Sequence, residues 1–362
     1  MHLTLIAGAR PNFIKIAPLI AAIKNKQLID SHLTYQLVHT GQHFDEKMSA
    51  AFFRDLDIPH PDFNLACGGG SQAEQTAAIM IAFEKYLIQN PSDLVLVVGD
   101  VTSTMACSIV AKKLRTKVVH VEAGIRSGDL SMPEEINRIV TDSLSDYFFT
   151  TTKWASENLL KMGISSDRIF LVGNVMIDTL YSQQSKFSKP EFWHDFNLSN
   201  QNYFVLTLHR PANVDDGQKL QELILEIVDN ARGLPVIFPI HPRTAKMFNA
   251  LSISHPNLHI VDPLGYLQFN YLVQHAKAVI TDSGGITEET TVMGVPCITL
   301  RDSTERPETV SIGTNELIGT NPNAIAPTFK KLWDENWKKG GIPDLWDGKA
   351  AERIVEIILN IV

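Results

Sequence analysis

Residues 1–24, MHLTLIAGARPNFIKIAPLIAAIK, combine a short apolar run with a longer stretch of helical spacing. Residues 3–7 are largely apolar, as expected of a strand that is buried on both faces of a sheet. Gly8 and Pro11 interrupt the run, and apolar residues then recur with helical spacing over residues 13–24. The stretch therefore predicts a β-strand followed by a helix, which is the repeating unit of a parallel α/β sheet.

The same alternation of strands and helices continues along the chain. Candidate strands in the first half are residues 35–39, 94–98, 117–121, 147–150 and 169–172, with a long amphipathic helix over residues 72–86. The pattern restarts in the second half, with candidate strands at residues 203–208, 235–239, 258–261, 278–281 and 296–300. Short apolar strands separated by helices predict a doubly wound α/β topology.

The length of 362 residues exceeds one ordinary hydrophobic core and favours two domains. We predict two Rossmann-like doubly wound domains with a cleft between them, covering residues 1–175 and 176–348. Residues 349–362 are predicted to form a C-terminal helix that packs back on the first domain. Ligands of open α/β sheets bind beyond the carboxyl ends of the strands, so functional residues are expected in the loops that follow the strands.

Composition excludes several classes of partner. The formal net charge is -8 and no dense run of Lys or Arg occurs, which argues against a nucleic-acid partner. No apolar run reaches the length of a membrane span, and the N-terminus lacks the features of a signal peptide, so we expect a cytoplasmic protein with no membrane partner. Cys67, Cys107 and Cys297 form no CxxC pair, so neither a disulfide framework nor a metal site is expected.

The first strand is followed by GARPNFIK, residues 8–15. Pro11 is well placed at the first helical position, so the helix start presents free amides to an anion, and Arg10 and Lys15 add positive charge. These residues contact a phosphate or a charged substrate, or else they form a capping turn with a solvated Arg. The segment is not GxGxxG, and no nicotinamide fingerprint occurs elsewhere, so no such cofactor is expected.

Carboxylates follow two later strands. Asp100 comes directly after the strand at 94–98, Glu122 after the strand at 117–121, and Glu134 opens a helix further on. Successive strand ends of a doubly wound sheet can lie side by side, so Asp100 and Glu122 are predicted to face one crevice, with Glu134 or Glu135 nearby at the start of that helix. Clustered carboxylates repel each other and separate their pKa values, which suits them to acid and base roles.

Each of these residues also has a purely structural interpretation. Asp100 is suited to cap the following helix. Glu122 is close enough in sequence to pair with Arg126, and Glu134 lies four positions before Arg138, the spacing of a helical ion pair.

The second half supplies a candidate nucleotide site. His209 and the stretch TDSGGITEE, residues 281–289, follow predicted strands. Gly284 and Gly285 allow backbone amides to approach a pyrophosphate at a helix start, and a Glu one turn later is suited to a ribose diol. Arg306 is a candidate bidentate phosphate partner. The structural alternatives are a simple capped helix and a solvated charged loop.

Read in order, the motifs resemble those of a known family. GARPNFIKIAPL, GQHFDEKM, VGDVTST, HVEAGIRSGD, MPEEINR, TLHRPANV, TDSGGITEE and RDSTERPE occur in the order found in non-hydrolysing UDP-N-acetylglucosamine 2-epimerases. The resemblance covers about residues 1–320. It implies a two-domain fold of the GT-B glycosyltransferase type, a homodimer, and interconversion of UDP-N-acetylglucosamine (UDP-GlcNAc) and UDP-N-acetylmannosamine (UDP-ManNAc) for polysaccharide synthesis.

The resemblance also assigns roles to residues. The catalytic positions are Asp100, Glu122, Glu134 and His209. The predicted nucleotide-sugar contacts are Arg10, Lys15, Arg138, Phe269, Ser283, Gly284, Gly285, Glu289 and Arg306. The implied mechanism eliminates UDP from C1 and a proton from C2 to give a glycal, then adds UDP back with the proton on the other face, and it needs no metal and no cofactor.

The sequence departs from the bacterial pattern at the activator site. Many bacterial members bind a second UDP-GlcNAc with a Gln–His pair and a nearby Arg. Gln42 and His43 match the pair, whereas residues 67–76, CGGGSQAEQT, contain neither Arg nor Lys.

Three other functions fit parts of the pattern. A GT-B glycosyltransferase would pass the sugar to an acceptor, a hydrolysing epimerase would release free N-acetylmannosamine, and a nucleotide-sugar sensor would bind without turnover. The carboxylates argue against the sensor, and the pairing of GDVTST with HVEAG argues against the hydrolysing branch.

Overall fold

The computed structural model describes residues 1–29, 31–42, 56–251 and 253–361, without the side chains of Arg10, Pro242 and Arg243. The chain forms two compact units, one of Met1–Ser182 with Asp344–Val362 and one of Gln183–Pro343. The predicted boundaries at 175 and 348 lie a few residues from these. No helix within the described ranges is both long and apolar enough to span a membrane.

The first unit is built on a seven-stranded parallel sheet in the order β3-β2-β1-β4-β5-β6-β7. Its strands are β1 (His2–Ala7), β2 (Thr34–His39), β3 (Phe63–Asn64), β4 (Leu94–Val98), β5 (Lys117–Val121), β6 (Tyr147–Thr150) and β7 (Ile169–Leu171). Within the described residues up to 183, its helices are α1 (Arg10–Gln27), α2 (Gln72–Gln89), α3 (Thr102–Lys113), α4 (Pro133–Leu144), α5 (Lys153–Lys161) and α6 (Val175–Gln183), with a 3-10 turn at Ser166–Arg168. The predicted doubly wound topology is confirmed.

The order of the strands positions the loops. β4 is LVLVV and every residue in it is buried, because helices cover both faces of the sheet. β1 pairs with β2 on one side and with β4 on the other, and β4 pairs with β5. The strand order therefore reverses between β1 and β4, and the loops after β1, β4 and β5 leave neighbouring strands at this switch point.

The second unit carries a six-stranded parallel sheet in the order β10-β9-β8-β11-β12-β13. Its strands are β8 (Phe204–Thr207), β9 (Val236–Pro239), β10 (Leu258–Val261), β11 (Ala278–Thr281), β12 (Cys297–Thr299) and β13 (Asn315–Leu317). Its helices are α7 (Pro211–Val214), α8 (Gly217–Asn230), α9 (Pro242–Leu251), α10 (Tyr266–Gln274), α11 (Gly284–Met293), α12 (Pro307–Ser311) and α13 (Ile325–Trp333), with 3-10 turns at Gln184–Lys186, Glu191–Trp193 and Pro322–Ala324. Here the switch point lies between β8 and β11.

The C-terminal helix α14 (Ala350–Ile361) belongs to the first unit. The buried carboxylate of Asp178, in α6, accepts hydrogen bonds from the backbone amides of Ala350 (3.1 Å) and Ala351 (2.7 Å). A carboxylate at a helix N-terminus satisfies donors that the helix itself leaves free, so Asp178 anchors α14. Burial raises the pKa of Asp178 to about 6.

Candidate active site

Lys15 and Glu122 form a buried ion pair at the switch point of the first unit. Lys15 lies in α1, and its Nζ contacts Oε2 of Glu122, which follows β5 directly. The two side chains are 9% and 2% exposed. Arg126 is the alternative partner expected for Glu122, but its Nη2 instead binds the Oδ2 of Asp142 at 2.6 Å.

The backbone around this ion pair is in the left-handed region. Glu122 has a φ of 70° and Gly99, after β4, has a φ of 67°. A left-handed conformation costs a non-glycine residue about 1–2 kcal/mol, and such residues cluster at functional sites. A Cβ atom on Gly99 would lie 3.1 Å from the Lys15 Nζ and 3.2 Å from the Glu122 Oε2. Gly99 thus gives the ion pair its space.

Asp100 is the second predicted carboxylate and is more accessible, with a side chain 31% exposed. Its Oδ2 contacts Nη1 of the buried Arg138, and its carbonyl accepts a hydrogen bond from the Asn137 side chain at 2.8 Å. The N-cap of α3 is Val101, so the interpretation of Asp100 as a helix cap is wrong. Arg138 therefore holds Asp100 from one side and leaves part of the carboxylate exposed.

Glu134 and Glu135 have opposite surroundings in the first turn of α4. Glu134 is exposed, whereas Glu135 is buried and accepts hydrogen bonds from the Arg138 Nη2 (2.6 Å) and from the amides of Ser127 and Gly128. Burial opposes ionisation of Glu135, but these hydrogen bonds outweigh it and lower its pKa. Glu135 orients Arg138, and the catalytic role of Glu134 stays a prediction.

The sequence interpretation overlooked a buried histidine in β5. His120 lies two residues before Glu122 and is fully buried, with Nδ1 2.6 Å from the Asp142 Oδ1 and Nε2 2.8 Å from the Gly99 carbonyl oxygen. The signal that could have revealed it is the polar residue inside the otherwise apolar run KVVHV.

The second unit presents a histidine held by a carboxylate. The Nδ1 of His209 lies 2.9 Å from the Oδ1 of the fully buried Asp282. The backbone amides of His209 and Arg210 also donate to this carboxylate, at 3.1 and 2.9 Å. Burial opposes ionisation of Asp282, but the contacts with His209 and the amide of Arg210 outweigh it and lower its pKa. Because the His209 side chain is 42% exposed, the pair offers an oriented imidazole to a ligand.

The start of α11 is open to an anion. Ser283 is the N-cap but its side chain makes no capping hydrogen bond, and Ser283, Gly284 and Gly285 are all partly exposed. The first amides of a helix lack intrahelical partners and attract negative charge. A Cβ atom on Gly284 would lie 2.6 Å from the Glu305 Oε1, so glycine is required there by close packing.

Three arginines and two glutamates surround the start of α11. Arg301 Nη2 lies 2.6 Å from the Glu305 Oε2, Arg306 Nε lies 2.7 Å from the Glu288 Oε1, and Arg210 Nη2 lies 3.7 Å from the Glu305 Oε1. Burial opposes ionisation of Glu305, but the contacts with Arg301 and the nearby arginines lower its pKa to about 2. Arg306 is buried and paired, so its interpretation as part of a solvated loop is wrong. Guanidinium groups beside an open helix start suit a diphosphate.

Glu289 lies further along α11 and is buried. Its Oε1 accepts hydrogen bonds from the Tyr266 hydroxyl at 2.9 Å and from the Asn270 amide at 3.5 Å. Burial raises the pKa of Glu289 to about 7. Phe269, on the same helix as Tyr266, is partly buried against the core. Glu289, the predicted ribose contact, is therefore held by the Tyr266 hydroxyl and the Asn270 amide of α10.

The remaining predicted positions lie near the start of the chain. Arg10 is the first residue of α1. The Oε1 of Gln42 accepts hydrogen bonds from the amide (3.1 Å) and hydroxyl (2.8 Å) of Ser103 at the start of α3. His43 lies outside the described residues.

The two sheets define the class of protein. A lipopolysaccharide outer core galactosyltransferase shares the fold, with a TM-score of 0.56 at 14% identity and coverage of 100% of both chains. The fold is thus of the GT-B type, as predicted.

More similar proteins define the family. The family model for UDP-N-acetylglucosamine 2-epimerase matches residues 26–359. A UDP-N-acetylglucosamine 2-epimerase of Methanocaldococcus jannaschii is 41% identical over 374 residues and 99% of both chains. A UDP-2,3-diacetamido-2,3-dideoxy-D-glucuronate 2-epimerase of Pseudomonas aeruginosa is 37% identical over 373 residues and 100% of both chains. The chain belongs to the UDP-N-acetylglucosamine 2-epimerase family, so the resemblance is confirmed.

A solved structure supports the same assignment. The crystal structure of the Methanocaldococcus jannaschii UDP-GlcNAc 2-epimerase in complex with UDP-GlcNAc and UDP has a TM-score of 0.90 at 40% identity. The match covers 99% of this chain and 100% of that chain.

Proposed function

We propose that this protein is a non-hydrolysing epimerase that interconverts UDP-GlcNAc and UDP-ManNAc. The observation that carries the proposal is the pair of carboxylates at neighbouring strand ends. Glu122 is buried against Lys15, and Asp100 is partly exposed against Arg138. Two separately held carboxylates suit a reaction that removes a proton from one face of a sugar and returns it to the other.

UDP is the leaving group in this reaction, and the second unit supplies groups that stabilise it. The free amides at the start of α11 and the nearby arginine side chains match the negative charge that develops on the departing diphosphate. His209, oriented by Asp282, adds a further donor. Glu289 is suited to the ribose diol.

The C2 proton of the sugar is barely acidic in the ground state, because no carbonyl group is adjacent. Loosening of the C1–O bond gives the ring oxocarbenium character and acidifies this proton. A carboxylate then takes it, which produces the glycal and free UDP. Re-addition of UDP to C1 with delivery of a proton to the opposite face of C2 completes the epimerisation, and atoms balance without a metal or a redox cofactor.

The substrate is the point on which the relatives differ. One relative is named for UDP-GlcNAc and is 41% identical to this chain. Another is named for UDP-2,3-diacetamido-2,3-dideoxy-D-glucuronate and is 37% identical. The second substrate carries a carboxylate at C6 and an acetamido group at C3. We propose UDP-GlcNAc as the substrate because the relative named for it is the more similar of these two. The test includes both UDP-sugars.

Proton NMR in deuterated water tests the function directly. The protein is incubated with each UDP-sugar and no acceptor. We expect UDP-ManNAc to form from UDP-GlcNAc with deuterium at C2. Free sugar and UDP as the only products would identify a hydrolysing enzyme. Turnover of the glucuronate alone would change the substrate, and no turnover of either would refute the epimerase.

We also propose that the protein is a cytoplasmic homodimer that supplies N-acetylmannosamine-type sugars for cell-surface polysaccharide. On α2, Ile81 and Ile88 are seven residues apart on one helix face and are 58% and 62% exposed. An apolar face of this kind suits contact with a second copy. Sedimentation analysis of wild type and an Ile81→Lys, Ile88→Lys variant should give a dimer and a monomer, and a monomeric wild type would refute the proposal.

A further inference from the structure

His120 and Asp142 form a fully buried pair next to the predicted catalytic carboxylates. His120 is the fourth residue of β5 and Asp142 lies in α4. The His120 Nε2 is 2.8 Å from the carbonyl oxygen of Gly99, and its Nδ1 is 2.6 Å from the Asp142 Oδ1. Neither residue has an assigned part in the reaction.

The partners of the ring define its protonation. A carbonyl oxygen only accepts hydrogen bonds, so Nε2 carries a proton. The other oxygen of Asp142 receives the amide of Gly124 at 3.1 Å and the Nη2 of Arg126 at 2.6 Å. A carboxylate that binds an arginine and a backbone amide is ionised, so its Oδ1 accepts from Nδ1. Both ring nitrogens therefore donate.

Asp142 fixes the backbone on both sides of Glu122. It binds the His120 side chain two residues before Glu122 and the Gly124 amide two residues after it. Glu122 between them has a φ of 70°, a conformation that persists only where its surroundings determine it. The contacts of Asp142 with His120 and Gly124 hold Glu122 in this conformation.

The same pair fixes the start of the loop that carries Asp100. The Gly99 carbonyl accepts from the His120 ring, and the Gly99 amide donates to the carbonyl of Val121 at 3.0 Å. Both backbone polar groups of Gly99 are thus bonded to β5. Asp100 is the next residue, so its position depends on the same strand.

We propose that His120 is a buried imidazolium which, with Asp142, positions the Glu122 and Asp100 carboxylates for proton transfer. This proposal rests on the proposed epimerase function, because epimerisation is the reaction for which the carboxylates are positioned. The two residues act through Glu122 and Gly99 and are positioning residues. A misplacement of about 1 Å in a reacting group lowers the rate by about 100-fold.

The test combines kinetics with NMR of the ring. Asp142→Asn keeps the side-chain shape but removes the charge, and we expect kcat to fall by up to about 100-fold while the dissociation constant for UDP is unchanged. Thr141→Val is the control, since Thr141 is also buried in α4 and its hydroxyl donates to the Asn137 carbonyl of the same helix. We expect wild-type kcat for this variant. Wild-type kcat for Asp142→Asn, or an equal loss in both variants, would overturn the positioning role.

The NMR measurement uses wild-type protein labelled with ¹⁵N-histidine, with His120 assigned by its absence from His120→Gln. We expect both ring nitrogens of His120 to carry protons at neutral pH. A bare ring nitrogen would overturn the imidazolium. This measurement does not depend on turnover, so an inactive protein with a doubly protonated His120 would refute the proposed function and leave the charged pair supported.

Discussion

Gly99→Ala tests whether the space around the Lys15–Glu122 ion pair matters for catalysis. The new Cβ would lie 3.1 Å from the Lys15 Nζ and 3.2 Å from the Glu122 Oε2, closer than normal packing allows. The ion pair must move by a few tenths of an ångström. Since small misplacements of catalytic groups have large effects, we expect kcat to fall about 10-fold.

The same substitution also carries a backbone cost. Gly99 has a φ of 67°, and alanine there loses about 1–2 kcal/mol, which lowers the melting temperature of a unit of this size by about 2–8 °C. Gly163→Ala is a matched control, because Gly163 has a φ of 83° and no atom lies within 4 Å of its added Cβ. It should lose similar stability and keep its kcat.

The assay measures kcat from the rate of epimerisation, UDP affinity by calorimetry, and stability by thermal unfolding. We expect both variants to melt at similarly reduced temperatures and both to bind UDP, with turnover reduced only in Gly99→Ala. Wild-type turnover in Gly99→Ala would refute the reasoning, as would an equal loss in the control.

Three further outcomes are expected. Asp100→Asn and Glu122→Gln should each lower kcat by at least about 100-fold with UDP affinity retained, and full activity in both would contradict the carboxylate assignment. The pKa of Glu289 is raised from 4.5 to about 7, so its stabilising contribution is present at low pH and is lost as the pH rises through about 7. Thermal unfolding should therefore show Glu289→Gln to be more stable than wild type by about 3 kcal/mol at pH 8 and little different at pH 4. We also expect this variant to bind UDP more weakly. Equal melting temperatures of the two proteins at pH 8 would count against the raised pKa of Glu289. Epimerisation of UDP-ManNAc should start at full rate without added UDP-GlcNAc, because residues 67–76 contain no Arg or Lys and the side-chain oxygen of Gln42 already accepts hydrogen bonds from Ser103. A lag that UDP-GlcNAc removes would indicate an activator site.

The strands of the sheet centres could be predicted from the sequence because they are buried on both faces. Largely apolar runs predicted Leu94–Val98, Lys117–Val121 and Ala278–Thr281 with the bounds that the structure has. The edge strands Phe63–Asn64 and Asn315–Leu317 were missed. Each is too short to show a period, and pairing with a neighbouring strand alone defines it.

The site was predicted in part, for a similar reason. Residues at strand ends, such as Asp100 and Glu122, are visible because a polar side chain follows an apolar run. The partners that hold them come from distant segments, such as Lys15 from α1 for Glu122. Local spacing cannot reveal these contacts, and it also could not distinguish the exposed Glu134 from the buried Glu135.

The central claim is that two separately held carboxylates move the C2 proton while the C1–O bond to UDP breaks and re-forms. Its most direct test is UDP-GlcNAc carrying ¹⁸O in the oxygen that bridges C1 and the β-phosphorus, incubated with the protein in deuterated water. We expect the recovered UDP-sugars to carry deuterium at C2 and to have ¹⁸O spread into the non-bridging β-phosphate positions. Deuterium at C2 with all ¹⁸O still in the bridge would contradict the departure of UDP.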